Sequence, residues 1–355
     1  MNGILAEVER LFADAHDQGK FNGVIVLAIE GQPVYTGVFG HADRSTGRKL
    51  TNNTAFNVAS VAKTFISAAV LKLSERNMLK LDQPIAGWFP ELPYTGVTLR
   101  HLLAHTSGIP NYIRPVRLGE LGERWTMERR ATNAEMIAEI ARLYPQTEFA
   151  PGSANAYSNT GYLILGDLIR TVSGQPLERF MDELIFKPHG LSRTCMSHDV
   201  HRAERIDDYA IGRMQDDDGD YQLPHVIPGM GFCYTLDELQ GDGNVHTNAS
   251  DLLKWDQLLY SDKLLPQELL AEAHTPVVMS SGEAAPNGLG WFVRDCAGHG
   301  RCIEHSGYWP GYAAEFRRYI DAGRTLIMLT NEEFDSSHRV RSELADASEQ
   351  RLLAL

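Results

Sequence analysis

The sequence predicts an α+β fold, an α/β sandwich whose antiparallel sheet is built from the N- and C-terminal segments and flanked by helices, with a mainly helical lobe from the middle of the chain. Three observations carry this. Two β-rich runs follow an amphipathic helix at the N-terminus, four short β-rich runs lie between 288 and 331, and helical periodicity dominates the stretch between. The expected partition is 1–60 plus 285–355 for the sheet lobe and 61–284 for the helical lobe, one unit with its site where the lobes meet.

The first helix is "MNGILAEVERLFADAHDQGKF", with apolar Ile4, Val8 and Phe12 spaced at helical period among acids and bases. A charged n-region followed by an apolar h-region is not what it spells, so the sequence as it stands reads as cytoplasmic; removal of a leader would make it periplasmic or secreted. "GVIVLAIEGQPVYTGVFGHAD" reads as a hairpin around Glu30-Gly31-Gln32. Helical patterns follow in "TFISAAVLKLSERNML", "TLRHLLAHT", "NAEMIAEIARLY" and "TGYLILGDLIRTV". The strands near the other end are "GLGWFVRDC", "CIEHSGYW", "GYAAEFRRYI" and "RTLIMLTN", with a turn at "DAG" (321–323) before the last. From Ser336 on, Val340, Leu344 and Leu352 fall at near-helical spacing.

A chain of 355 residues, 43% hydrophobic and 22% charged, can bury a large core. Its formal charge of −13 disfavours a nucleic-acid partner, and no apolar run is long enough to span a membrane. Oligomeric state is not written in the pattern. Cys195, Cys233, Cys296 and Cys302 are too scattered for a disulfide framework; Cys296 and Cys302 either face each other across a hairpin or stand as two reduced thiols near a turn. The acidic "QDDDGDY" (215–221) misses the calcium-loop spacing and reads as a solvated hairpin turn, and "HDVH" (198–201) reads as a surface loop. No metal is expected.

Chemistry concentrates in three places. Ser60 and Lys63 in "NVASVAKTFI" sit three apart at a helix start, which puts hydroxyl and amine on one face beside unpaired backbone N–H groups. A serine hydroxyl needs such a neighbouring base to become a nucleophile. Tyr157 and Asn159 in "AYSNTGYLILG" stand where a polar loop enters an apolar helix; the structural alternative is that Asn159 or Thr160 caps that helix. His305, Ser306 and Gly307 in "EHSGYWPGY" lie on an expected strand, where a small residue and a glycine let a substrate backbone approach, or simply bend a hairpin.

Taken in order, Ser-x-x-Lys, Tyr-x-Asn and [Lys or His]-[Ser or Thr]-Gly resemble the serine β-lactamase and penicillin-binding protein superfamily, in its class C branch with D-alanyl-D-alanine carboxypeptidases, D-aminopeptidases and family VIII esterases. "HLLAHTSGIPNY", "FKPHGLSRT" and "NGLGWFV" resemble further segments of the family, so the likeness runs over most of the chain. It implies a β-lactamase/transpeptidase-like fold, no cofactor, and a small-molecule or short-peptide substrate cleaved through an acyl-serine. By the same resemblance Ser60 is the nucleophile, and Lys63 with Tyr157 handles protons. Asn159 orients Lys63 and the substrate amide, and the backbone N–H groups of Ser60 and Tyr308 form the oxyanion hole. Tyr112, Trp309 and the 213–235 loop, the parts least constrained by motif, are expected either to line the pocket as a partly apolar acyl or side-chain site or to serve as packing. A carboxylesterase using the same serine is the alternative activity, and a non-catalytic penicillin-recognising scaffold the alternative class.

One departure is that the third motif opens with His305 where class C lactamases carry lysine. An ordinary histidine, with a pKa of about 6.5, is mostly neutral at pH 7. Two consequences are expected: Lys63 carries more of the base role, and carboxylate recognition weakens as His305 titrates between roughly pH 5.5 and 8. The alternative is that His305 serves only as a hydrogen-bonding group.

Overall fold

The computed structural model describes residues 2–122, 124–126, 128–197, 206–333 and 339–355. Its main elements are α1 (Asn2–Asp17), β1 (Gly23–Ile29), β2 (Gln32–Phe39), α2 (Ala62–Glu75), α3 (Asn133–Leu143), α4 (Asn159–Ser173), α5 (Ala249–Leu258), β3 (Phe292–Cys296), β4 (Gly300–Trp309), β5 (Tyr312–Tyr319), β6 (Arg324–Thr330) and α6 (Arg339–Leu353). The six strands form one antiparallel sheet in the order β3-β4-β5-β6-β1-β2. β1 and β6 run side by side from Gly23↔Thr330 to Ile29↔Arg324, so the two ends of the chain meet in mid-sheet.

Alternation along the central strands buries both faces. Val24, Val26 and Ala28 of β1, with Ile327 and Leu329 of β6, face the main core under α2 and α5. Ile25, Leu27, Leu326 and Met328 face Val8 and Phe12 of α1 and Leu344, Ala345 and Leu352 of α6. Each Val, Ile, Leu, Met or Phe among these contributes about 1.5–3 kcal/mol on leaving water, and each alanine less. A fully buried pair, Arg318 Nε to Asp256 Oδ1 at 2.6 Å, ties β5 to α5.

α2 is the axis of the helical half. Every residue from Ala62 to Leu71 is buried, as suits a helix enclosed on all sides rather than laid on a surface. Lys63 lies inside that run, and its charge therefore has to be accounted for by its neighbours.

The hairpin at Glu30-Gly31 and the four late strands form where the sequence places them. All four cysteines are free thiols; on the β3–β4 hairpin Cys296 stands opposite Gly300 and Cys302 opposite Arg294, so the two do not face each other directly. The acidic run turns a small hairpin between Arg213–Gln215 and Tyr221–Gln222. "HDVH" lies outside the described residues. Among the described residues no helix is long and apolar enough to cross a membrane.

Candidate active site

Ser60 sits in a single tight turn, Ala59–Val61, that leads directly into α2. The turn is strained and braced. Ala59 takes φ +46°, a region that costs a residue with a Cβ on the order of 1–2 kcal/mol. The Asn57 carboxamide oxygen accepts from Ala59 N–H at 2.7 Å and holds it there. β4 closes over the other side. A Cβ on Gly307 would stand 2.1 Å from the Val58 carbonyl oxygen and 3.1 Å from Ser60 N, so only glycine lets the strand come this close to the turn.

Lys63, one helical turn on, is fully buried. Its Nζ donates to Ser60 Oγ at 3.0 Å and to the main-chain carbonyl of Asp242 at 2.6 Å. The amine also lies 5.1 Å from the Tyr157 ring centroid and 5.3 Å from that of Tyr162. Burial lowers its pKa from the ordinary 10.5 to about 8, against an opposing pull from the Asp242 carboxylate. A measurable fraction is therefore neutral near physiological pH, which a base requires.

Tyr157 packs against His105, with ring centroids 4.2 Å apart, and lies parallel to Phe292 at 6.3 Å. Its Oη is buried and makes no hydrogen bond of ordinary geometry, although Ser60 is near enough to draw its pKa down. Burial outweighs that pull and pushes the phenol well above its usual range. Tyr157 is therefore a proton donor at neutral pH, not a phenolate. His105 fixes the loop: its Nδ1 accepts from Ser158 N–H at 3.2 Å, and burial holds it neutral.

Ser158, not Asn159 or Thr160, takes the cap position of α4, and its side chain makes no capping bond. Thr160 instead accepts from Tyr112 N–H at 2.9 Å and donates to Pro110 O at 2.7 Å, tying the 110–112 segment to the helix. Asn159 does not hold Lys63. Its backbone N–H bonds Asn111 and its Oδ1 is buried without a partner. The expected orienting role falls to the Asp242 carbonyl, because an amine taken out of water binds the strong acceptor it meets at bonding distance.

His305 is buried, its Nδ1–H donating to the Ser306 carbonyl at 2.7 Å. Burial first, and the Lys63 charge second, lower its pKa from 6.5 to about 3. The expected titration between pH 5.5 and 8 is thereby overturned. The ring stays neutral and offers Nε2 as an acceptor.

Ser60, Tyr157, Asn159, His305, Ser306 and Tyr308 line one cavity of about 740 Å³, together with Tyr112 and Trp309. Gly307 is not among the lining residues; it packs against Val58 and the Ser60 backbone. Tyr308 anchors its phenol on Glu333 at 2.7 Å. Met214, Met230, Phe232 and Leu239 add an apolar wall, so part of the 213–235 loop does reach the site. Asp242 was not singled out from sequence: "GDG" (241–243) reads only as a turn, and nothing in it signals a partner for Lys63 that is 179 positions away.

The chain matches the family model described as Beta-lactamase over residues 8–350. It is 35% identical over 332 residues to Penicillin-binding protein 4* of Bacillus subtilis, covering 93% of this chain and 72% of that protein. It is 26% identical over 318 residues to a D-aminopeptidase of Brucella anthropi, covering 89% of this chain and 57% of that one. Esterase EstB of Burkholderia gladioli is 32% identical over 203 residues, 54% of this chain and 51% of the esterase. Among solved structures, the D-amino acid amidase of Ochrobactrum anthropi SV3 shares the fold with a TM-score of 0.78 at 24% identity, over 99% of both chains. The octameric penicillin-binding protein homologue of Pyrococcus abyssi does so with a TM-score of 0.82 at 24% identity, over 98% of this chain and 77% of that one.

Proposed function

Because the chain belongs to the Beta-lactamase family, we propose that it hydrolyses small amides, peptides or lactams through an acyl-enzyme on Ser60. The observation that carries this reading is the 3.0 Å contact between Ser60 Oγ and a fully buried Lys63 amine whose pKa is about 8.

Neutral Lys63 takes the Ser60 proton as Oγ attacks the carbonyl carbon. The resulting oxyanion is held by the backbone N–H groups of Ser60 and Tyr308; losing one such donor costs about 3 kcal/mol of transition-state stabilisation. Tyr157, protonated because burial keeps it so, gives its proton to the leaving nitrogen. Lys63 then re-protonates the phenol, which leaves a neutral amine and an acyl ester. Water enters from the vacated side, loses its proton along the same path reversed, and releases the acid. Asn159, Ser306 and Tyr112 are the groups we assign to the substrate. We keep the division into a sheet lobe (1–60 plus 285–355) and a helical lobe (61–284), with the cavity between them.

A neutral His305 favours a second reading, a carboxylesterase of short acyl esters with the same Ser60. A D-alanyl-D-alanine carboxypeptidase has to hold a terminal carboxylate, and the third motif supplies no cation for it; the cationic side chain on the cavity wall is Arg117, which is exposed. The buried Lys63–Ser60 pair speaks against a mere scaffold, since burying an amine has no structural benefit.

Intact-mass measurement after mixing with a penicillin, a fluorophosphonate and a p-nitrophenyl ester tests these readings. A Ser60 adduct is expected. A persistent penicillin adduct supports the amide and peptide reading, and fast ester turnover without one supports the esterase. No adduct with any of the three ends both.

A further inference from the structure

We propose that Asp242, held by Tyr112, is the positioning residue of this site: its main-chain carbonyl aims the Lys63 amine at Ser60, and its carboxylate sets how readily that amine gives up its proton. The inference rests on the hydrolase reading above and adds a residue to it.

The geometry is continuous and buried. Tyr112 Oη donates to Asp242 Oδ2 at 2.8 Å, Lys63 Nζ donates to Asp242 O at 2.6 Å, and Lys63 Nζ donates to Ser60 Oγ at 3.0 Å. Tyr112 and Asp242 are nearly as buried as Lys63.

The turn that carries Asp242 is fixed from several sides. Asn133, at the start of α3, donates from Nδ2 to Gln240 O at 2.7 Å and accepts from Gln240 N–H at 2.8 Å. Gly241 takes φ +115° with its α-carbon pressed onto α4, where a Cβ would stand 2.2 Å from Tyr162 O. Asn244 Nδ2 donates back to Leu239 O at 3.0 Å and to Asp237 O. A carbonyl aimed this way needs no rearrangement when the reaction begins, which is what a positioning group must provide.

The second half of the proposal follows from what else faces Lys63. The turn before α2 presents Ser60; α4 and the loop before it present Tyr157 and Tyr162; the 105–112 segment presents His105 and Tyr112; β4 presents His305; and the 241–243 turn presents Asp242. Burial holds both histidines neutral and all three tyrosines protonated. Burial raises the Asp242 carboxyl's own pKa, and the Lys63 charge and the Tyr112 hydroxyl pull it back down. As a carboxylate it is the negative group in that ring, and it acts on Lys63 against the effect of burial. The Tyr112 hydroxyl points its positive end at the carboxylate and offsets part of that field.

Protein labelled with 13C-lysine reports the Lys63 ε-CH₂ titration directly, the signal being assigned by its loss in Lys63→Arg. Asp242→Asn is expected to move the midpoint below that of the parent. Tyr112→Phe is expected to move it above, and the double variant to follow Asp242→Asn. Acylation of Ser60 by a p-nitrophenyl ester should track these midpoints, with Asp242→Asn about threefold or more faster at pH 7. An unmoved midpoint in Asp242→Asn, or a Tyr112→Phe midpoint at or below the parent's, overturns the proposal; should Asp242→Asn not fold, Tyr112→Phe alone decides. The functional reading fails separately. A parent that leaves Ser60 unacylated while the midpoints move as stated removes the hydrolase and keeps the Asp242–Lys63 coupling, whereas an acylating parent with unmoved midpoints does the reverse.

Discussion

Gly307 and Val58 are packed backbone to backbone: the glycine's missing side chain is the space that the Val58 carbonyl occupies, 2.1 Å from where a Cβ would stand. β4 can therefore lie across the turn that presents Ser60.

Gly307→Ala should force the strand and the turn apart. Displacing a reacting group by about 1 Å costs on the order of a hundredfold, so the acylation burst with a p-nitrophenyl ester should fall by at least that much. A variant that acylates at the parent's rate would show that the close approach has no part in placing Ser60.

The acylation rate should rise with pH through about 8, because Lys63 acts as neutral amine. Stability carries the same signature. The folded-state pKa lies below the ordinary 10.5, so the full penalty is present below about pH 8 and is relieved as pH rises toward 10.5. Parent stability should gain about 3 kcal/mol over Lys63→Met across that window. Denaturant titration of both proteins at pH 7.5 and 10 measures it; parallel pH dependences would contradict the assignment.

Tyr157→Phe should separate substrates by leaving group. An amide nitrogen must be protonated to depart, and losing its donor costs roughly a hundredfold or more. A p-nitrophenolate leaves unaided, so ester cleavage should fall by less than about tenfold. Lys63→Ala should damage both. Equal losses on amide and ester in Tyr157→Phe would remove the proton-donor role.

His305 should not titrate in the neutral range. The KM for an acidic substrate should be flat between about pH 5.5 and 8 as far as this ring is concerned, and His305→Gln should leave the pH profile of acylation unchanged in shape. The ring has a stability cost in acid. Its folded pKa of about 3 lies below the ordinary 6.5, so its neutral form favours the fold fully above pH 6.5, and that advantage is lost as pH falls toward 3. About 5 kcal/mol of acid sensitivity is at stake. Unfolding of parent and His305→Gln compared at pH 5 and 7.5 tests the sign.

Much of this molecule was legible in one dimension. The β-rich runs "GVIVLAI" and "RTLIMLTN" marked strands, which the fold buries on both faces, and the three-residue spacing of Ser60 and Lys63 placed hydroxyl and amine on one helical face. Asn159 misled, because a motif names neighbours without saying which of them an amine will reach. Thr160 misled as a cap, since its hydroxyl was already committed to the 110–112 segment.

By itself the sequence determined the main strands and helices and the pairing of Ser60 with Lys63, all of which rest on periods of two and 3.6 residues that survive in linear order. Only the tertiary structure decided the charge states of those side chains. Desolvation depends on everything packed around a group, from Asp242 beside Lys63 to Phe292 against His305, and no local pattern records it.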